Sequence, residues 1–237
     1  MAPRYLAAVL ACLGAGGACA SPFLMPEGTR ELQAGVVLGN HAEDEGRRTR
    51  TNYVAPHFEA RWSNGVFLQG LSLGMQLSAT PGLRYGPLLA LGRERTAAPG
   101  RDTRLMPLFG AFMNYQLLHN LHVVTNGYRM AGSRGGIQAS LLLATHYNVA
   151  PHHVLVLAAG VRLADRRFLQ THLGAGPDAK AGVKDSGIEG RWQWALTPKY
   201  TASATVEARR LHGDAATGAL VTRRTGVGYS LMLVRGF

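Results

Sequence analysis

Cysteine is missing from the sequence after residue 20, because Cys12 and Cys19 are the chain's two cysteines. A chain that lost its first twenty residues would have no thiol, and so neither disulfides nor thiolate catalysis. Beyond residue 20 there is also no run of about 18 apolar residues, the length a membrane-spanning helix needs. Glycine, by contrast, occurs 30 times and is scattered through apolar segments, where it destabilises helices. A disulfide-stapled domain and a helical membrane protein are therefore both disfavoured.

The first twenty residues have the three parts of a secretory signal peptide. Arg4 supplies the positive charge, residues 6–13 form an apolar stretch, and Ala18-Cys19-Ala20 provides a small-residue cleavage site. We therefore expect residues 1–20 to be a signal peptide. Residues 21–237 show no linker or break in composition and are expected to form one exported domain.

Basic residues outnumber acidic ones, with 25 Lys and Arg against 14 Asp and Glu. Removal of Arg4 would leave 24 basic residues, a net charge of +10. An exported protein seldom meets nucleic acid, so none is expected as a partner. An anionic component of the cell envelope, such as lipopolysaccharide or peptidoglycan, fits the predicted location better.

Apolar and polar residues alternate along most of the chain, which is typical of β-strands with one apolar and one polar face. In residues 66–78 the alternation places Phe67, Leu71, Leu73 and Met75 on one face. Asn64-Gly65 just before them predicts a tight hairpin turn. A soluble β-sandwich would show the same alternation, so other features must separate the two architectures.

Three features favour an antiparallel outer-membrane β-barrel over a sandwich. The strands span about ten to fourteen residues, which matches a tilted membrane-spanning strand. The polar faces are rich in glycine, serine and charges of both signs, as a narrow lumen requires. Aromatic residues lie near strand ends, where an interfacial girdle is expected: Tyr53, Trp62, Phe67, Tyr115, Tyr147 and Trp192.

Eleven candidate strands can be counted, although single-chain bacterial barrels have an even number. Assigning loops alternately to the outer and periplasmic sides gives different results when the count starts from the N-terminus and from the C-terminus. One strand has therefore been missed, or one of the eleven is false. We predict twelve strands, with "RRFLQTHLG" as the missing one, and keep ten as the alternative. The eleven candidates are 31–39, 53–62, 66–78, 82–94, 105–117, 119–130, 135–149, 152–165, 186–197, 198–211 and 222–237.

The sequence ends in an alternating strand, "YSLMLVRGF", whose last residue is Phe237. In a barrel the last strand closes against the first, so we expect this segment to be the closing strand. A terminal aromatic on that strand is commonly recognised by the outer-membrane assembly machinery of Gram-negative bacteria. Phe237 is therefore predicted to be an assembly signal.

Several segments in order resemble the MipA/OmpV family of outer-membrane proteins: "RWSNGVFLQG", "GLRYGPLLALGR", "LFGAFMNYQL", "RGGIQASLLL", "LADRRFLQTHLG", "AGVKD" and "RRLHGDAATGAL". The resemblance covers about residues 30 to 237. The chain departs from the family in "NHAEDEGRRTRTN" and at Gly218-Ala219, both in predicted outer loops.

The resemblance implies a non-enzymatic protein of the cell outer membrane. Members are described as scaffolds that join a murein lytic transglycosylase, MltA, to a bifunctional murein synthase during peptidoglycan metabolism. Others are described as porin-like or adhesive, so a narrow anion-favouring channel and an adhesin remain alternatives. A lipid-modifying enzyme is a third class, but no set of nucleophile, base and acid converges in the sequence, and no cofactor or metal site is expected. His119 and His122 fall in a predicted turn without the helical register of a paired-histidine metal site.

Charged residues on the predicted polar faces should point into the barrel. Because a barrel of ten or twelve strands encloses little more than side chains, these charges are expected to pair with one another as a lumen network. The predicted members are His57, Glu59, Arg61, Arg84, Glu189, Arg191, Lys199, Glu207 and Arg209, with Glu94 and Arg162 as further candidates.

Overall fold

Twelve β-strands make up most of the computed structural model, which describes residues 25–42, 45–93, 105–132 and 135–237. Each strand pairs antiparallel with its sequence neighbours, and β12 pairs with β1, so the sheet closes into a barrel. The prediction of an all-β, twelve-stranded antiparallel barrel is confirmed. The predicted signal peptide, residues 1–20, lies outside the described residues. The strands are β1 (Arg30–Ala42), β2 (Arg50–Trp62), β3 (Val66–Gln69), β4 (Ser72–Met75), β5 (Leu83–Arg93), β6 (Leu105–Leu118), β7 (Leu121–Met130), β8 (Ile137–Ala150), β9 (His153–Ala164), β10 (Gly182–Ala195), β11 (Tyr200–Leu211) and β12 (Thr225–Gly236).

The twelfth strand comes from residues 66–78, and the prediction that "RRFLQTHLG" supplies it is wrong. Alternation continues through residues 66–78, but Gly70 and Leu71 form a two-residue turn that splits them into β3 and β4, with four residues each. Gly70 has φ 56°, in the left-handed region that glycine adopts without strain. With this hairpin counted, the parity conflict disappears, and residues 45–49, 165–181 and 212–224 all lie between strands at the same end.

The hairpin also turns Phe67 into the barrel, against the expectation that it shares the outer face with Leu71. Because the turn reverses the chain, Phe67 lies opposite Gly74, and its ring meets Phe112 edge-on with centroids 5.3 Å apart. Tyr53 likewise lies opposite Gly39, and the centroid of its ring is 4.9 Å from the centroid of the His41 ring. A side chain at either glycine would collide with the facing ring. Neither Phe67 nor Tyr53 therefore belongs to an outer girdle.

An aromatic girdle does surround one end of the barrel. The exposed aromatic side chains near the strand ends there are Trp62, Tyr85, Tyr115, Tyr147, Trp192, Trp194, Tyr200 and Phe237. This end also carries several very short turns, such as His119-Asn120 and Pro151-His152. Short turns face the periplasm in outer-membrane barrels, and the longer loops face outward. The girdle therefore marks the periplasmic end.

The outer end carries two short helical segments, which together we call the plug. The first is α1 (Arg166–Phe168), which continues directly into a π-helical turn, Leu169–Leu173; the second is α2 (Gly213–Ala216). The Asp165 carboxylate caps α1 by accepting a hydrogen bond from the Phe168 N–H at 2.7 Å. Gly174, at φ 68°, ends the π-helix in a left-handed conformation. No helix in these described ranges is long and apolar enough to cross a membrane.

The wall of the barrel is uneven beside the short hairpin. β2 pairs with β3 through Glu59–Arg61, whereas β1 accompanies β2 along its whole length. In the described part of the chain, the outer portion of β2, residues 50–57, has no strand on its β3 side. Pro56 lies in this portion, which suits a residue that has no N–H to give to a neighbouring strand.

Candidate functional site: the lumen and its plug

Three strands carry the same inward-facing pair, a glutamate followed two residues later by an arginine. Residues two apart on a strand share a face, so each carboxylate can reach its own guanidinium. The N–O distances are 2.6 Å for Arg61–Glu59, 2.8 Å for Arg191–Glu189 and 3.3 Å for Arg209–Glu207. Glu59, Glu189 and Arg191 are buried. The pairs offset the cost of placing these charges inside the barrel.

A second group of charges lies beneath the plug and connects four elements. The Asp185 carboxylate contacts Arg162 at 2.8 Å, Lys184 at 3.4 Å and Arg209 at 3.6 Å. Glu45, from the loop between β1 and β2, contacts Arg162 at 2.8 Å and Lys184 at 2.7 Å. Together with Glu207, which contacts Arg209, the group has three acids and three bases. We call these six residues the outer charge cluster.

A β-bulge explains why Lys184 and Asp185, which are adjacent, are both fully buried. The pairing register between β10 and β9 shifts between Val183 and Asp185, so Lys184 is an extra residue in the strand. A bulge interrupts the strict alternation and re-aims side chains. The Lys184 ammonium consequently lies among carboxylates on one side and 5.1 Å from the centre of the Phe168 ring on the other. The bulge thus connects the cluster to the plug.

Glu45 is the member of the cluster that lies outside the strands. Burial alone would raise the pKa of its carboxyl, but the positive charges of Arg162 and Lys184 outweigh that effect. They hold the pKa of Glu45 well below its ordinary value of 4.5. A depressed carboxyl pKa stabilises the folded state above the unfolded-state pKa, and this contribution is lost as the pH falls towards the folded-state pKa.

We expect the Glu45→Gln variant to be less stable than the wild type at neutral pH, and the difference to shrink below about pH 4.5. The reason is that protonated glutamate, like glutamine, cannot pair with Arg162 and Lys184. Melting temperature in detergent, recorded for both proteins between neutral and acid pH, measures the difference. Asp178→Asn, at an exposed carboxyl of an outer loop, is the control. A difference that stays constant with pH would contradict this role of Glu45.

Apolar side chains from opposite walls of the barrel meet at the plug. Phe168, Leu169 and Leu173 of the plug are buried, Leu173 completely. They belong to one cluster with residues of β5, β6 and β7 on one side and of β9 and β11 on the other: Ala90, Leu108, Met130, Ala164 and Leu211, with Ala215 of α2. The plug therefore spans the outer mouth between these two walls.

The structure brings most of the predicted lumen residues into the barrel, with one exception among those described. The Arg84 Nε donates to the Gln76 side-chain oxygen at 3.0 Å, and His57 is half-buried. Lys199 is not in the lumen: β10 ends at Ala195 and β11 begins at Tyr200, so Lys199 lies exposed in the turn between them. Glu94 lies outside the described residues. Lys184 and Asp185 were missed because the bulge breaks the alternation on which the prediction relied.

Three histidines approach one another at the periplasmic end. The His146 ring lies 5.5 Å from His122 and 6.3 Å from His119, measured between centroids. The sequence pattern gave no sign of His146 joining the other two, because it lies on β8. Within the ranges that the structure describes, no group of three or more His, Cys, Asp or Glu residues is arranged to hold a metal ion.

Comparison with solved structures finds outer-membrane barrels of low sequence identity. OmpT of Vibrio cholerae has a TM-score of 0.45 at 7% identity, over 91% of this chain and 100% of that one. An outer-membrane channel from Pseudomonas putida F1 has a TM-score of 0.45 at 12% identity, over 92% of this chain and 99% of that one. The N-terminal β-barrel domain of Pseudomonas aeruginosa OprF has a TM-score of 0.31 at 13% identity, over 66% and 98%. Among curated proteins, none matches the chain.

A family model matches residues 34–237, which includes all twelve strands apart from the first residues of β1. The family is described as MltA-interacting protein MipA. The match agrees with the resemblance noted in the sequence. The chain belongs to the MipA family and is an outer-membrane β-barrel protein.

Proposed function

We propose that the protein is a non-catalytic scaffold of the outer membrane whose periplasmic face holds a murein lytic transglycosylase and, through it, a murein synthase. The observation that carries this proposal is the plug, whose apolar side chains join opposite walls of the barrel at the outer mouth. We infer that a barrel plugged in this way has no open path for the passive diffusion of solutes. The family description, MltA-interacting protein, supplies the class of partner.

The periplasmic end offers a small but well-defined binding surface. Most of its turns are short, and their exposed residues include His119, His152 and Lys199. His152 has φ 65°, so the Pro151-His152 turn projects its side chain from a fixed backbone. Short turns on a closed barrel are held rigidly by the strands that they join. Such a surface can bind a partner with little loss of conformational entropy.

The experiment is a binding titration of the purified barrel with the lytic transglycosylase of the same organism. We expect His119→Ala, His152→Asn and Lys199→Ala, combined in one variant, to weaken binding at least tenfold. A matched variant at the exposed outer positions Asp178→Ala, Lys180→Ala and Thr217→Ala should bind as the wild type does. Equal weakening by both variants, or no binding by the wild type, would contradict the scaffold proposal.

Two further proposals accompany this function. Phe237 is proposed as the signal read by the outer-membrane assembly machinery; its N–H donates to the Leu32 carbonyl at 3.0 Å, and its ring is exposed beside Arg235. The Glu-Arg pairs of the lumen are proposed to line the barrel wall as a structural network, with the plug closing the narrow path that they leave. The competing function is a narrow anion-favouring channel, and the conductance experiment in the Discussion separates it from the scaffold.

A further inference from the structure

Four arginines on two neighbouring outer loops and the adjoining end of β11 are exposed, and we call them the outer arginine patch: Arg48, Arg210, Arg223 and Arg224. Arg48 lies in the loop between β1 and β2, Arg210 near the end of β11, and Arg223 and Arg224 in the loop that leads into β12. Within the described residues, none of these four guanidinium groups has an ion pair or a side-chain hydrogen bond. The patch is therefore a concentration of positive charge that the described chain does not neutralise.

Backbone hydrogen bonds hold the two loops together, so the patch does not depend on flexible segments. The Gly46 carbonyl accepts from the N–H groups of Thr222 at 2.7 Å and Arg223 at 2.9 Å. The Arg48 N–H donates to the Thr222 hydroxyl at 3.2 Å, and the Leu211 N–H donates to the Arg224 carbonyl at 2.8 Å. These bonds place the four arginine backbones next to one another.

The patch borders the lipid-facing side of the barrel. Arg209 points into the lumen, where it contacts Asp185, so its neighbour Arg210 lies on the opposite face of β11. On that outer face, Val206 of β11 and Val227 of β12 are exposed; we call the exposed apolar side chains on the outside of the strands the apolar belt. Arg210 therefore stands at the outer edge of this belt, the depth at which lipid head groups meet the protein.

The nearby acidic side chain of Asp214 does not neutralise the patch. Its carboxylate accepts a hydrogen bond from the Lys180 backbone N–H at 2.7 Å, which directs it towards the loop between β9 and β10. Asp185 and Glu207 lie beneath the plug and are occupied by Arg209. Among the described residues no carboxylate therefore pairs with the patch, which makes an anionic ligand its best-matched partner.

We propose that the outer arginine patch binds the phosphate groups of a phosphorylated lipid of the outer leaflet, of the lipid A type. Arginine suits this ligand because its planar guanidinium donates two parallel hydrogen bonds to phosphate oxygens. The acyl chains of the same lipid would lie against the apolar belt below Arg210. The arginines would then lie at the membrane depth of the lipid phosphates, and the apolar belt at the depth of the acyl chains.

The test is a titration of the detergent-solubilised, folded barrel with fluorescent bisphosphorylated lipid A. The variant Arg210→Gln, Arg223→Gln, Arg224→Gln should bind roughly a hundredfold more weakly, since each surface cation contributes about a factor of five to binding of an anionic membrane lipid. The control Arg30→Gln, Lys199→Gln, Arg235→Gln removes the same number of exposed cations at the periplasmic end and should bind normally. Heat-modified migration on gels verifies that each variant is folded.

Two further probes identify the chemistry that is recognised. Dephosphorylated lipid A should bind weakly and equally to the wild type and the patch variant. Inorganic phosphate at matched ionic strength should not displace bisphosphorylated lipid A. The proposal is overturned if the patch variant binds bisphosphorylated lipid A as the wild type does, if the control loses as much affinity, or if inorganic phosphate displaces the lipid.

Discussion

The variant Asp185→Asn should lower the free energy of unfolding by about 3–5 kcal/mol, the usual cost of removing one partner from a buried ion pair. Asp185 is fully buried and its carboxylate contacts Arg162, Lys184 and Arg209. Without it, three buried or half-buried cations share the two remaining carboxylates of the outer charge cluster. Unfolding in urea, followed for the barrel in detergent, measures the loss.

A double variant separates charge imbalance from lost packing. Asp185→Asn combined with Lys184→Met removes one acid and one base from the cluster, so its charges balance again. We expect this double variant to be more stable than Asp185→Asn alone. The effects of the two substitutions are then not additive, as is usual for residues that interact directly. Asp178→Asn, at an exposed carboxyl, should change stability by less than about 0.5 kcal/mol. If Asp185→Asn unfolds at the same urea concentration as the wild type, the cluster does not stabilise the barrel.

The strands could be predicted closely because alternation is a local property of the sequence. The predicted strand 105–117 corresponds to β6 (Leu105–Leu118), and the predicted strand 198–211 to β11 (Tyr200–Leu211). The β3–β4 hairpin could not be separated in this way, because its two-residue turn shifts the alternation by one residue and the three apolar residues Val66, Phe67 and Leu68 conceal that shift. Gly70 in the middle of the segment was the available signal, because a glycine inside a strand pattern marks a possible bulge or turn. A single strand of thirteen residues was therefore predicted where two strands of four exist.

The first helical segment of the plug has helix signals in its sequence, although we predicted a strand there. In "DRRFLQTHLG" an aspartate precedes the segment and a glycine ends it, which are the residues that begin and end helices. The apolar residues Phe168, Leu169 and Leu173 recur at helical spacing, and all three are buried in the structure. The short length of the segment and the need for an even strand number favoured the wrong interpretation.

The charged pairs within single strands of the lumen could be predicted, because each is part of a Glu-x-Arg triplet. A pair on one strand, such as Glu59 and Arg61, is determined by sequence spacing alone. The outer charge cluster depends instead on contacts between distant segments, such as Glu45 with Lys184, 139 positions apart. No local sequence pattern specifies which loop carboxylate pairs with a buried lysine. In addition, the bulge at Lys184 breaks the alternation from which the inward direction of its side chain could have been predicted.

The second large effect is expected from displacing the plug. Wild-type protein in planar bilayers should show no stable conductance, whereas Leu173→Asp should open steady channels. Leu173 is completely buried in the apolar cluster that joins the plug to both walls. An ionised carboxylate placed there without a partner costs several kcal/mol, so the plug should leave the mouth and expose the new charge to water. The strands, whose hydrogen bonds do not involve Leu173, should stay closed as a barrel.

A matched control variant places the same charge at an exposed position, where it does not disturb the packing of the plug. Ala181→Asp lies in the same loop but is exposed, so it should remain as silent as the wild type. The opened Leu173→Asp channel should be narrow and only weakly anion-favouring, because Arg61 and Arg191 are paired with glutamates. Steady anion-selective openings of the wild type would favour the channel function over the scaffold. Silence of Leu173→Asp, with the variant shown to be folded, would mean that the charged lumen below the plug closes the barrel by itself.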